Sequence, residues 1–159
     1  MIDAIDRKII AALQKNARIT NADIAQLVGL APSATHERVK KLLRVGVIES
    51  FEAKVNPAAV GAGTLAFVFV RTSEKAGQST VGRRLAQCPE ILEVHNVAGE
   101  DCYLVKVRVA DTQALSRFLR KKVGVIPGVV STRTTIAMET YKETGVVHFE
   151  SHQKSAAEE

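Results

Sequence analysis

The sequence predicts an α+β chain of two domains: an N-terminal winged helix-turn-helix unit, then a ferredoxin-like βαββαβ domain. Three observations carry this prediction. Residues 20–46 read as two short helices about a tight turn, the second rich in base. An amphipathic segment precedes them. Beyond residue 64 a strand–helix–strand pattern occurs twice.

The first helix opens at Asp3, a good N-cap, with Asp6 in its first turn and Ile5, Ile9, Ala12 and Leu13 as its apolar stripe. Thr20 caps the second helix, and Asp23 completes an acidic variant of the capping box. Ile24, Leu27 and Val28 recur there at helical spacing. Gly29 supplies a residue tolerant of positive φ where the helix must stop. Pro32 suits the first turn of the third helix, whose Thr35, Val39 and Leu42 share a face. Three short helices around one apolar interior make a small DNA-binding core, with the third helix placed for the major groove.

Charge separates this from an ordinary helical hairpin with a solvated face. Arg38, Lys40, Lys41 and Arg44 cluster on the third helix against a single acid, Glu37. Ser33, Ala34 and His36, in its N-terminal half, are the candidates for reading base edges. Thr35 either joins them or turns to the core face it shares with Val39. Arg38, Lys41 and Arg44 would hold phosphates, which sets affinity and salt dependence more than sequence choice. Val47–Val55 turns strand-like, so a short strand pair is expected there as a wing, with Lys54 reaching a phosphate.

Residues 1–55 thus form the DNA-binding domain and 56–64 a hinge, where Pro57, Gly61 and Gly63 loosen the chain. The first βαβ unit is Leu65–Thr72, a helix from about Thr80 to Cys88 capped by Ser79, and Ile91–Val97. The second is Cys102–Val109, a helix from about Thr112 to Val123 capped by Asp111, and Val129–Met138. Such a split unit puts both helices on one face of a four-stranded antiparallel sheet. A strand wet on its other face should alternate, yet Leu65–Val70 is apolar on both. A homodimer joined through these sheets is the expectation. Residues 143–159 form a C-terminal segment, and its polar end, Ser151–Glu159, is expected to be disordered.

Composition narrows the class. The chain has 159 residues and a formal charge of +5, with a pI near 9.4, which suits a polyanionic partner. No apolar run approaches the ~20 residues that span a bilayer, so no membrane partner is expected. The chain opens into a charged amphipathic helix, so no signal peptide is expected and the location predicted is cytoplasmic. Cys88 and Cys102 lack metal-ligand spacing. Trp is absent and aromatics are few, against base stacking on single strands. Neither a metal nor a cofactor is predicted.

The chain resembles the Lrp/AsnC family, the feast/famine regulators, from Ile2 to about Lys142. The resemblance rests on Ile2-Asp3, Ile9-Ile10, Arg18-Ile19-Thr20, Ala25 to Leu30, Arg38-Val39-Lys40-Lys41-Leu42 and Gly46-Val47-Ile48. In the second half it rests on Gly99-Glu100-Asp101, Pro127-Gly128-Val129, Thr132 and Thr134. It implies a transcriptional regulator of double-stranded DNA that forms dimers, often octamers, and responds to an amino acid or related metabolite. The effector residues it carries over are Gly99, Glu100, Asp101, Thr132 and Thr134. An acidic side chain there would take an ammonium and backbone amides near Gly99 a carboxylate. The competing explanation of that loop is a plain acidic hairpin turn. Two departures stand out: Ala31 where the family often has Ser before Pro32, and Cys102 where many members have the acidic loop residue.

Two other functions compete. Some haem-biosynthesis decarboxylases resemble the family in both domains, and His95 would be the residue to hold a tetrapyrrole. The retained basic helix and the absence of a nucleophile–base pair or a Gly-rich phosphate loop favour a protein that is not an enzyme. An architectural DNA binder without an effector is the other.

Overall fold

The computed structural model describes residues 2–75 and 77–149. Ser151–Glu159, expected to be disordered, lies outside the described residues. The chain divides into two compact units, with breaks after Lys54 and after Glu143.

The helical unit contains α1 (Ala4–Lys15), α2 (Asn21–Val28) and α3 (Pro32–Arg44). Ile9, Leu13, Ile24, Val39 and Leu42 form its core. Asp3 and Asp6 cap each other's backbone N–H groups at the start of α1, a full capping box. Thr20 Oγ1 accepts from Asp23 N–H at 3.1 Å and donates to the Asp23 carboxylate at 2.6 Å. The acid therefore grips the cap's hydroxyl rather than its amide. Gly29 takes φ +71° and closes α2, and the Leu30 amide reaches back to the Ala25 carbonyl. Leu27, expected on the buried stripe, is exposed; Ala25 is buried beside Ile24 instead.

Val47–Val55 forms no strand. The expected wing is therefore absent among the described residues. The Leu42 carbonyl accepts from the amides of both Val47 and Ile48, turning the chain off α3. Beyond that, Ser50 bonds Glu52 locally at 2.8 Å. Two short strands without a third are marginal in water. The segment at 144–149 belongs to the helical unit: Gln14 brackets the Val147 backbone with bonds of 3.0 and 2.7 Å.

The second unit begins with a 3₁₀ turn at Ala58–Val60. It holds β1 (Thr64–Thr72), α4 (Thr80–Leu85), β2 (Ile91–Asn96), β3 (Tyr103–Val109), α5 (Thr112–Phe118) and β4 (Val129–Ile136). The sheet is antiparallel, with strand order β2-β3-β1-β4. Ala66, Val68 and Val70 of β1 and alternate residues of β3 pack beneath Val81, Leu85, Leu115 and Phe118 of the helices. Asp111 caps α5 as expected, accepting from Ala114 at 2.7 Å.

Ser79 does not cap α4. Glu74 takes that role from the preceding loop, accepting from the Val81 amide at 2.9 Å and from the Tyr103 hydroxyl at 3.0 Å. A longer side chain from outside the helix thus ties α4 to β3. After Phe118 the helix widens to a π turn over Leu119–Val123. An unbroken α-helix through Leu115 and Phe118 would bring Lys122 to the core. The extra residue presents Val123 instead, which is buried, and leaves Lys122 exposed.

The helix-free face of the sheet differs from the apolar patch expected of Leu65–Val70. Phe67 and Phe69 lie on it half-buried, but the Arg133 guanidinium stacks 4.0 Å over the Phe69 ring. Lys106 bridges Glu93 and Glu143 at 2.8 and 2.7 Å, and Arg108 meets Glu143 at 2.6 Å. Arg133 and the β3 cations sit far along the chain from β1, so β1 alone could not show this mixed surface.

Candidate DNA-binding helix and effector loop

The third helix sorts its side chains by period. Thr35, Val39 and Leu42 are buried; Ser33, Ala34, His36, Lys41 and Arg44 are exposed. Thr35 has no exposure at all, which removes it from the DNA-facing set. Its hydroxyl has no hydrogen-bond partner among the described residues.

Arg38 departs from the phosphate role the sequence suggested. Its guanidinium holds Asp3 at 2.6 Å and Asp6 at 2.8 Å, and Asp6 is only 2% exposed. The Asp6 backbone N–H and the Arg38 hydrogen bond hold the Asp3 carboxyl below its ordinary range. Arg38 therefore locks α3 to α1, where Asp6 needs a cation as a buried acid. Lys40 has a longer, exposed contact with Glu37 at 3.4 Å, of small worth. Lys41 and Arg44 make no ion pair among the described residues and stand ready for an anion. Lys54 is exposed on a segment outside any strand rather than on a wing.

One residue of this surface was missed. Asn21, the first residue of α2, donates its amide to His36 Nδ1 at 3.0 Å. Nδ1 then accepts, so the neutral ring carries its proton on Nε2. The first helix of the pair thereby fixes which hydrogen-bonding group His36 can offer. A spacing of fifteen residues across a turn gives this contact no sequence signature.

The five residues carried over for the effector do not meet in one chain. Gly99 takes φ +135° in the loop between β2 and β3. The amide of Cys102, at the end of that loop, bonds the Val70 carbonyl at 2.9 Å. Asp101 ion-pairs with Arg133 at 2.8 Å, so its carboxylate has a cation on the helix-free side. Thr132 and Thr134 pair with Val70 and Val68, whose side chains face the helices. The threonines thus lie on the opposite sheet face from Arg133. Thr134 lines a hollow beside α5 with Ser116, Arg120 and Ile136. No described helix is long and apolar enough to cross a membrane.

Comparison with known proteins agrees with this two-part layout. The model of the AsnC-type helix-turn-helix domain matches residues 2–43, and that of the Lrp/AsnC ligand binding domain matches residues 65–147. The chain is 42% identical over 145 residues to the HTH-type transcriptional regulator FL11 of Pyrococcus furiosus, covering 91% of this chain and 94% of that protein. It is 37% identical over 145 residues to the leucine-responsive regulatory protein of Salmonella typhimurium, covering 90% and 88%. Among solved structures, a Neisseria meningitidis transcriptional regulator in complex with L-methionine superposes with a TM-score of 0.84 at 28% identity, covering 93% of this chain and 97% of that one. A feast or famine regulatory protein of M. tuberculosis, also with L-methionine, gives 0.83 at 33% identity, covering 90% and 96%. A helix-turn-helix domain and a ligand-binding domain, matched in order along one chain, place this protein in the Lrp/AsnC family of transcriptional regulators.

Proposed function

We propose that the protein binds specific double-stranded DNA in the cytoplasm, without catalysing a reaction, and that an amino acid or related metabolite alters its DNA affinity or assembly. The observation that carries this is the exposed row on α3. Ser33, Ala34 and His36 stand toward its N-terminal end and Lys41 and Arg44 toward its C-terminal end, on a helix locked from behind by Arg38. His36 would donate from Nε2 to a purine or thymine acceptor, Ser33 would bond a base edge, and Ala34 would touch a thymine methyl. Lys41 and Arg44 would hold phosphates, with Lys54 a lesser contributor.

For the effector, Asp101 supplies a carboxylate and Gly99 an open backbone. The complexes of two structural relatives with L-methionine support an amino acid as the ligand class. Because Thr132 and Thr134 lie apart from this loop in one chain, a site uniting all five residues needs a second copy. We place a homodimer across the helix-free sheet face, where Phe67 and Phe69 lie half-buried, and higher assembly, as far as octamers, beyond it. His95, on which a decarboxylase would depend, is instead bonded to Glu93 at 3.1 Å on an exposed strand.

The test is binding to the DNA upstream of the protein's own gene, with and without pools of amino acids. Tight, salt-sensitive binding shifted by one pool is the expected result. The double variant Lys41→Ala, Arg44→Ala should lower the salt slope by about 2, from two lost phosphates. Binding untouched by that variant would remove α3 as the contact. Binding indifferent to every pool would leave an architectural protein.

A further inference from the structure

We propose that the outer face of α5 and its π turn is a second contact for the DNA backbone, remote in sequence from the recognition helix. This rests on the protein being a DNA-binding regulator but concerns a different surface.

The first observation is where the charge lies. Residues 1–54 carry nine Lys and Arg against six Asp and Glu, whereas residues 55–143 carry twelve against eight. The second unit is thus at least as basic as the one that holds the helix-turn-helix. Within it, the stretch from Thr112 to Met138 contains five Lys and Arg and not one acid. Partners elsewhere absorb two of the five: Lys122 meets Glu90 at 2.6 Å and Arg133 meets Asp101 at 2.8 Å. Arg117, Arg120 and Lys121 remain exposed and make no ion pair among the described residues. They fall at spacings of three and four, on one side of the helix.

The second observation is what surrounds them. Arg117 and Arg120 line a hollow of about 390 Å³ with Thr112, Gln113 and Ser116. Every one of these side chains can donate a hydrogen bond, and no carboxylate is among them. A free amino acid would find no carboxylate for its ammonium, only neutral amide and hydroxyl oxygens beside two guanidinium groups, so the hollow suits an anion better than a zwitterion. A phosphodiester needs only donors and positive charge. The hollow is shallow and encloses nothing, so it would not strip water from a small anion, and isolated surface ion pairs are weak. Duplex DNA offsets that weakness by presenting a charge every ~1.7 Å and releasing condensed counterions.

The experiment uses the full chain and a long duplex from upstream of its own gene, with affinity measured against salt. In the triple variant Arg117→Ala, Arg120→Ala, Lys121→Ala, the slope of log K against log salt should fall by about 2–3. Alanine suits exposed helix positions, so the fold should persist, with circular dichroism as the check. The double variant Arg117→Lys, Arg120→Lys should keep the wild-type slope, since a phosphate accepts either cation. The Lys41→Ala, Arg44→Ala variant, run in parallel, separates the two surfaces: losing its effect would indict the recognition helix, not α5. An unchanged slope in the triple variant overturns the proposal. So does calorimetric binding of inorganic phosphate that the triple variant loses while its DNA slope stays wild type, which would make the hollow a small-anion site. Wild-type protein that binds no DNA overturns both proposals.

Discussion

Thr35→Val tests the inward orientation of Thr35 on α3. Thr35 is wholly buried, and its Oγ1 has no hydrogen-bond partner among the described residues. Valine keeps the branched shape and replaces the hydroxyl by a methyl. An unsatisfied buried hydroxyl costs about 1–3 kcal/mol. Helix propensities of Thr and Val are nearly equal, so they do not decide the sign. The variant should therefore be more stable by about 1–2 kcal/mol. In a domain of this kind, each kcal/mol is worth ~4–8 °C in Tm. The assay is denaturant unfolding by far-UV circular dichroism, with separate transitions for the two units. DNA affinity should stay within about twofold, under 0.5 kcal/mol. Destabilisation would mean that the hydroxyl has a partner, such as the Ala31 carbonyl one turn back. Normal stability with lost DNA binding would mean that Thr35 faces the groove, and the sorting of α3 would be wrong.

Three further perturbations separate structural from functional charge and packing. Arg38→Met should lower the unfolding midpoint of the helical unit, because Asp6 loses its cation, while the salt slope of DNA binding stays near that of the wild type. A slope reduced by about one would return Arg38 to the phosphate set. Gly82→Ala sets propensity against space. Alanine gains about 1 kcal/mol in a helix, but its Cβ would come within 2.6 Å of Tyr103 Cε1, in a ring that Glu74 holds. Overpacking of about 1–3 kcal/mol should win, so a stabilised variant would show that the ring yields. Acid should weaken the sheet unit. Hydrogen bonds from Lys106 and His95 hold Glu93, and those from Lys106 and Arg108 hold Glu143, below the ordinary 4.5. Their contribution is complete above 4.5 and fades as pH falls through the lowered values. Hydrogen bonds to Glu143 and Glu93 raise Lys106 above 10.5, so its share persists below 10.5 and fades as pH rises through the raised value. Lys106→Met should flatten the acid limb of a stability–pH curve; an identical limb would mean these contacts carry no stability.

Local punctuation was legible in the sequence. Thr20, Gly29, Pro32 and Asp111 act within a turn of their own position, and each stands where its chemistry predicted. The period of α3 likewise placed Val39 and Leu42 inside. What escaped was pairing across distance. Asp6 and Arg38 are 32 residues apart, and Asn21 and His36 are 15. Glu74 displaced the nearer Ser79 as the cap of α4 because it reaches both the Val81 amide and the Tyr103 hydroxyl. The missing wing has the same origin, since a strand exists only with a partner that local composition cannot guarantee.

The same distinction decides what the basic residues do. Four cations crowd into residues 38–44, and the sequence could only count them. The fold gives them unequal fates: Arg38 is committed inward to a buried acid, Lys40 is loosely held by Glu37, and Lys41 and Arg44 stay unengaged. On α5 and its π turn, widening of the helix sends Val123 inward and leaves Lys122 to Glu90, while Arg117, Arg120 and Lys121 remain open. The salt-dependent part of a cation's contribution to DNA affinity comes from the counterions it displaces from phosphates, and a cation already neutralised by a carboxylate displaces fewer. Unengaged charge, not total charge, therefore sets the salt slope. On that basis α3, rich as it is in base, has two unengaged cations to set against phosphates, and α5 with its π turn has three.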